Sequence, residues 1–348
     1  MAHLAWVVAT VQTLARERRR AKFTADRFAL VVVDEAHHTP AATYRAILNH
    51  FAGAKVLGVT ATPDRGDRAA LRRVFESVAH VYEIRDAVRD GWLCPIRQRA
   101  VRVEGFDLSR VRTTAGDLND GDLERVLLDD RVLQGIASAI VREAGARPTI
   151  AFTPTVQVAY ALRDVLNSYE PGSARACDGT TERELRRATL ADFAAGRFAR
   201  LLNCNLWSEG FDAPHIACVA VARPTKSRAF YAQMIGRGTR TLDGKADLLV
   251  LDFEGNAGRH RLVGPADVLG GMDADPEVSA AVKAKLRREP DLPVLAALMW
   301  AEAEARRSKR RAVLAQAVYR AVDVDPFGLA AAALDLEDAP ALDGSGDD

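Results

Sequence analysis

The densest chemistry in the chain is Asp34-Glu35-Ala36-His37, which directly follows the apolar run Phe28-Ala-Leu-Val-Val-Val33. A carboxylate at the end of a buried strand can hold Mg²⁺, directly or through its waters, and a second carboxylate beside it can polarise an attacking water. The plainer reading of the same pair is an N-capping Asp with a surface Glu. His37 and His38 are neighbours on a loop, a placement in which two histidines rarely chelate one ion. The four cysteines, Cys94, Cys177, Cys204 and Cys218, are too far apart in sequence for a CxxC knuckle. They read as thiols in a reducing, cytoplasmic compartment.

The elements that must position these groups follow from apolar periodicity. Phe28–Val33 and Lys55–Thr60 are continuous apolar runs ending on polar residues, which predicts parallel strands covered on both faces. Ala41 to Phe51 predicts a helix between them, giving a strand–helix–strand unit whose functional residues stand past the strand ends. Residues 97–130, with Gly105, Gly116, Gly121 and many charges, read as an irregular connection between domains, with short strands at its start. A second α/β block follows, with strands at Pro148–Phe152, Arg200–Cys204, Ile216–Val221 and Leu248–Asp252. Helices are expected at Thr155–Leu166 and Glu182–Ala195, with another beginning in Phe230–Ile235. That alternation predicts a second doubly wound sheet. Ala, Glu and Arg dominate Val278–Ala321, which predicts helices, and Leu334–Asp348 carries six acids and no bases, which predicts disorder.

Several short stretches, in order, resemble the motifs of the DEAD/DEAH-box helicases of superfamily 2. Val33-Asp-Glu-Ala-His37 resembles motif II and Val59-Thr-Ala-Thr-Pro63 motif III. Val8-Ala-Thr-Val-Gln-Thr-Leu14 looks like motif Ib, and Ile150-Ala-Phe-Thr-Pro154 like motif IV. Asn203 to Pro214, containing Ser208-Glu-Gly-Phe-Asp212, looks like motif V, and Gln233-Met-Ile-Gly-Arg-Gly-Thr-Arg240 like motif VI. Arg223-Pro-Thr-Lys-Ser-Arg228 is similar to the branch related to Type III restriction helicase subunits and bacterial or phage repair helicases. Each match alone is weak. Their order, each in a fitting strand or loop context, makes the set specific.

The resemblance implies an α/β fold of two RecA-like domains of the P-loop NTPase type, the first incomplete, that use ATP and Mg²⁺. It divides the chain into a partial first domain at 1–96, a connection at 97–132, a second domain at 133–263, a helical accessory segment at 264–330 and an acidic tail at 331–348. Asp34 would coordinate Mg²⁺ and Glu35 position the attacking water. Arg237 and Arg240, three apart on one helix, would face the same side and reach the nucleotide, because a departing phosphoryl group needs fixed cations. Gln233 and His37 would couple the domains, and Thr60 and Thr62 would link nucleotide state to nucleic-acid grip. Gly210 would let the backbone turn closely, and Asp212 would contact the ribose or its water shell. Thr10, Gln12 and Thr153, and more weakly Arg65, are candidates for the phosphate backbone of a nucleic acid, with DNA ahead of RNA. For these contact residues, ordinary strand-end or turn polar groups are the rival reading.

No GxxxxGK[ST] phosphate loop occurs in the 348 residues. The only Gly-Lys is Gly244-Lys245, followed by Ala246 in a turn after motif VI, and 33 residues precede Asp34. The expectation is that a missing N-terminal segment or a second chain supplies the loop, and that this chain alone hydrolyses ATP slowly or not at all. The strands of the first domain should then show an exposed edge or an uncovered face. Two other roles stay open. One is a non-catalytic nucleic-acid-binding or scaffold protein with a helicase shape. The other is the motor subunit of a restriction or repair complex, with no PD-(D/E)xK-like cluster visible after residue 264.

Bulk properties fit and discriminate little. A chain of 348 residues has room for two domains and an appendage, and 48% hydrophobic with 27% charged residues is an ordinary globular mixture. Lys+Arg at 48 nearly cancels Asp+Glu at 47, so no global field marks a polyanionic partner. Local basic runs occur at Arg16–Lys22 and Arg306–Arg311, each equally readable as a solvated helix face. No apolar run approaches the roughly 20 residues of a membrane span.

Overall fold

The computed structural model describes residues 6–39, 41–60, 71–204, 213–258, 260–271 and 275–316. The chain divides into two units, 1–302 and 303–348. The first α/β part opens with the short helices α1 (Val11–Ala15) and α2 (Glu17–Arg20). Strand β1 (Leu30–Val33), a single 3-10 turn at Ala36–His38, helix α3 (Ala42–His50) and strand β2 (Lys55–Gly58) follow. β1 and β2 pair in parallel, Leu30 opposite Lys55 and Val33 opposite Gly58, which is the strand–helix–strand unit expected. Coverage differs from the expectation of two buried faces. Val33, Ile47 and Phe51 are buried, but Leu30, Val32, Leu57 and Val59 are 45–53% exposed. Their alternation places them on one face, since side chains of a strand point to opposite sides in turn. Among the described residues that face is left about half exposed, in keeping with the expectation of an uncovered face.

The second sheet has six strands in the order β3-β10-β9-β6-β8-β7, all parallel. They are β3 (Ile96–Asp107), β6 (Thr149–Phe152), β7 (Ala174–Cys177), β8 (Arg200–Asn203), β9 (Cys218–Val221) and β10 (Leu248–Asn256). The four residues of β6, β8 and β9 are buried without exception. Alternate residues feed two apolar clusters: Ile150, Phe152, Val219 and Val221 belong to one, and Ala151, Cys218 and Ala220 to the other. A strand buried on both faces reads as the continuous apolar run seen in the sequence.

Residues 97–130, read as irregular with short strands at the start, form regular elements over much of their length. β3 is a twelve-residue edge strand of this sheet, paired with β10 from Ile96–Leu248 to Arg102–Glu254. Its charges hid it: Arg97 and Arg99 alternate with Ile96 and Gln98, and they reach Asp247, Asp291 and Glu143. An edge strand needs one apolar face only, so it lacks the unbroken run of its neighbours. A hairpin, β4 (Thr113–Thr114) and β5 (Asp117–Leu118), turns on Ala115 and Gly116, both at positive φ (51° and 88°). Positive φ at both central residues suits the right-handed twist of a two-residue hairpin.

The remaining helices are α4 (Ile84–Arg89), α5 (Asp120–Leu127), α6 (Asp130–Ala139), α7 (Val156–Tyr169), α8 (Arg183–Ala194), α9 (Arg228–Gly236), α10 (Pro265–Leu269), α11 (Pro276–Arg288) and α12 (Val294–Gln316). Asn119, Asp129, Thr155 and Ser227 cap four of them by accepting from backbone N–H groups of the first turn. Residues 317–330 of the expected accessory segment and the acidic tail 331–348 lie outside the described residues. The four cysteines are free thiols. Among the described residues no helix is long and apolar enough to cross a membrane.

Candidate active site

The carboxyl end of β1 carries the acidic pair. Asp34 is exposed, and its Oδ1 accepts from the Glu35 N–H at 2.9 Å. Glu35 has φ 49° and ψ 50°, a left-handed conformation that a non-glycine residue adopts only where its surroundings impose it. The imposing contacts are on either side. Val59 N donates to Val33 O and Ala36 N donates to Val59 O, both at 2.9 Å, so the parallel pairing continues around the turn. Thr39 Oγ1 donates to Ala36 O at 2.7 Å and closes the 3-10 turn behind it. Gly58 is required here, because a Cβ would strike the Phe75 ring and lie 2.9 Å from the Ala36 Cβ. Sequence reading gave no sign of that glycine's purpose.

The turn gathers four of the predicted residues. His37 Nδ1 is hydrogen-bonded to Thr60 Oγ1 at 3.0 Å and stands 3.4 Å from Glu35 Oε2, an ion-pair distance rather than a second hydrogen bond. Among the described residues the enclosed Glu35 Oε2 has no hydrogen-bond partner. An enclosed, acceptor-only oxygen of this kind suits a water or a cation rather than a structural role. Asp34 offers a hard oxygen at the strand end, which fits Mg²⁺, an ion that keeps several waters and takes one or two carboxylates. Among the described residues no three His, Cys, Asp or Glu side chains converge on a metal site.

The second group belongs to α9 and the residues after it. Ser227 Oγ caps the helix by accepting from Phe230 N at 3.2 Å. Tyr231, buried, donates its hydroxyl to Asp252 Oδ1 at 2.7 Å, tying the helix to β10. Gln98 Nε2 donates to the other carboxylate oxygen at 2.5 Å. Burial pushes the Asp252 carboxyl up to about 6, against the hydrogen bonds and the Lys283 charge that favour its ionised form. Gln233 and Arg237 are half-buried and Arg240 is exposed. The two arginines do not share a helix. α9 ends at Gly236, Arg237 is its C-cap, and Arg240 stands beyond, bridged antiparallel to Leu93. Gly238 separates them because a Cβ there would collide with Leu248 Cδ1.

Other predicted residues fare differently. Thr10 caps α1, its Oγ1 accepting from Thr13 N at 3.3 Å, and Gln12 is exposed on that helix. Thr153 is buried, and its hydroxyl faces Thr155 O at 3.1 Å and Asn203 O at 3.3 Å. These contacts tie the end of β6 to β8, in line with the strand-end reading that stood beside that of a nucleic-acid contact. Thr62, Arg65, Gly210 and Asp212 lie outside the described residues. Sequence reading missed the anchoring of Arg223–Arg228. Arg223 pairs with Asp120 at 2.9 Å, and Asp117 accepts from Thr225 Oγ1 at 2.6 Å and from Lys226 N at 2.7 Å. Partners more than a hundred positions apart leave no local pattern to read.

Comparison with known proteins gives the family. Residues 2–65 match the family described as Type III restriction enzyme, res subunit, and residues 132–241 match the Helicase conserved C-terminal domain. A Saccharomyces cerevisiae protein named as ATP-dependent helicase IRC3 is 32% identical over 72% of this chain and 37% of its own length. The endonuclease subunit of Type I restriction enzyme EcoAI from Escherichia coli is 28% identical over 66% of this chain and 32% of its own. The chain thus spans about two fifths or less of these relatives. A fragment of an HsdR-type subunit of a type I restriction enzyme from Vibrio vulnificus shares the fold, with a TM-score of 0.55, 24% identity, and coverage of 74% of this chain and 48% of that one. A Saccharomyces cerevisiae Dbp5 variant bound to RNA and ADP BeF3 shares it at 0.51, with 15% identity and coverage of 83% and 68%. With two RecA-like α/β parts and both family matches in the order of its motifs, the chain belongs to the superfamily-2 helicases, related to the type I and type III restriction helicases.

Proposed function

We propose that this chain forms most of an ATP-driven helicase or translocase motor acting on nucleic acid, DNA ahead of RNA. The observation that carries the reading is the turn after β1, where His37 joins the acidic pair to Thr60 at 3.0 Å. ATP with Mg²⁺, when bound, would supply the γ-phosphoryl group and its counter-charge. Asp34 would hold the ion with its exposed carboxylate. Glu35, fixed by its left-handed backbone, would orient the attacking water with the otherwise unengaged Oε2. His37 would pass the state of that carboxylate to Thr60, and Thr60 with Thr62 would link it to the grip on nucleic acid. Gln233, Arg237 and Arg240 would complete the site from the second sheet, with Gly210 and Asp212 meeting the nucleotide.

The 348 residues contain no GxxxxGK[ST], and in this reading a further segment or a second chain would supply the phosphate cradle. The open face of β1 and β2 supports an incomplete first sheet. Similarity to the restriction endonuclease subunit favours, as the second reading, a motor within a multi-chain assembly. The test is ATP hydrolysis by the purified chain with Mg²⁺ and DNA. The expected rate is near background, rising when a phosphate-loop segment is supplied and lost again in Glu35→Gln. Strong hydrolysis by the chain alone, abolished by the same substitution, would overturn the incompleteness. No hydrolysis under either condition would overturn the motor.

A further inference from the structure

Gly244-Lys245, the one Gly-Lys pair of the chain, serves no phosphate loop, yet the fold gives it a defined task. Leu242-Asp-Gly-Lys245 is a tight turn closed by Lys245 N donating to Leu242 O at 2.9 Å. Gly244, at φ 82°, takes the position of the turn that needs positive φ. The turn aims the Lys245 side chain back toward the residues after α9. Its half-buried ammonium donates to three backbone carbonyls: Pro214 O at 3.0 Å, Gly238 O at 2.5 Å and Arg240 O at 2.9 Å. An ammonium has three N–H donors, so its whole hydrogen-bonding capacity is used on backbone.

The identity of those carbonyls matters. Pro214 O ends the Asn203–Pro214 stretch, and Gly238 and Arg240 end the arginine-bearing stretch that begins at Gln233. The second stretch is also gripped from its other side. Cys94 N donates to Thr239 O at 2.8 Å, the Cys94 thiol approaches Gly238 O at 3.5 Å, and Leu93 bridges Arg240. One cation therefore ties Pro214 to the residues after α9, which are themselves pinned to the residues leading into β3.

We propose that Lys245 is a positioning residue that locks the Ala213–Pro214 backbone to that of Gly238 and Arg240, so that these two segments keep one register. Its consequence for hydrolysis rests on the motor reading above. The clamp itself does not.

Hydrogen exchange on the full chain tests the clamp directly. In Lys245→Met, amides of residues 215–217 and 238–241 should exchange about tenfold faster, together, because charge-assisted bonds to both stretches are lost. Amides of β6 and β8 should stay unchanged. Lys245→Arg, which keeps charge and donors, should recover part of the protection. Lys245→Gln, which keeps a donor without the charge, should fall between, and it carries the test if the Met variant does not fold. Unchanged protection, or loss in one stretch alone, overturns the proposal. Where the complemented motor hydrolyses ATP, Lys245→Met should slow it in the Arg240 background and have little effect in Arg240→Ala, as expected for groups acting as a unit. Equal losses in both backgrounds overturn the link to Arg240. If Arg240→Ala itself changes nothing, the motor reading fails and the exchange result still decides the clamp.

Discussion

Replacing Asp252 by Asn should make the protein's stability less dependent on pH. The Asp252 carboxyl accepts from Tyr231 Oη at 2.7 Å and Gln98 Nε2 at 2.5 Å, with Lys283 attracting its ionised form and Glu254 repelling it. Burial outweighs these partners and raises the group from 3.8 to about 6. Folding therefore favours the protonated acid. Stability attributed to this group is greatest below its unfolded value near 4 and is lost as pH rises through the window up to about 6, then stays level. A shift of about two units corresponds to roughly 3 kcal/mol. Part of the residue's surface is exposed, so water trims the figure, and about 1–2 kcal/mol is the working expectation. Asn mimics the protonated acid: its amide oxygen can accept from Tyr231, and its N–H₂ can donate to a rotated Gln98 amide. Urea midpoints of both proteins should nearly coincide at about pH 4.5 and separate in favour of Asp252→Asn by pH 7.5, each converted through its slope. A constant difference at both ends, or a wild-type advantage that grows with pH, would refute the assignment.

Two further outcomes separate fold from function. Thr60→Val removes the hydroxyl 3.0 Å from His37, and in the complemented motor it should lower nucleic-acid stimulation of hydrolysis more than the unstimulated rate, measured by ATPase assays with and without DNA. Thr153→Val keeps the buried volume but drops the hydroxyl shared between Thr155 O and Asn203 O, so it should cost about 1–2 kcal/mol in thermal or urea unfolding and leave DNA affinity unchanged.

Much of the fold was legible because its signal is local. The apolar runs of β6, β8 and β9 announce strands buried on both faces, and the caps at Thr155 and Ser227 mark helix starts that neighbouring residues alone suffice to explain. The acidic pair, His37 and Thr60 were legible as a set because strand ends in parallel sheets concentrate function. β3 was not, since an edge strand alternates charge with apolar residues and is recognised only by its partner β10. The separation of Arg237 from Arg240 was also invisible: a three-residue spacing reads as one helix face until Leu248 forbids anything but glycine at position 238.

The sequence by itself determined which residues could do chemistry, the order of strands and helices that carry them, and the absence of a phosphate loop within these 348 residues. Tertiary structure alone decided how those residues are held. The left-handed Glu35 depends on the pairing with Val59 across a helix, the Asp252 environment on Gln98 from a strand 154 positions away, and the Lys245 clamp on the carbonyls of Pro214, Gly238 and Arg240. The physical reason is common to all three. Propensity and periodicity act between neighbours along the chain, whereas burial, hydrogen-bond partners and the strain they impose are set by groups that meet only after the sheet has closed around them.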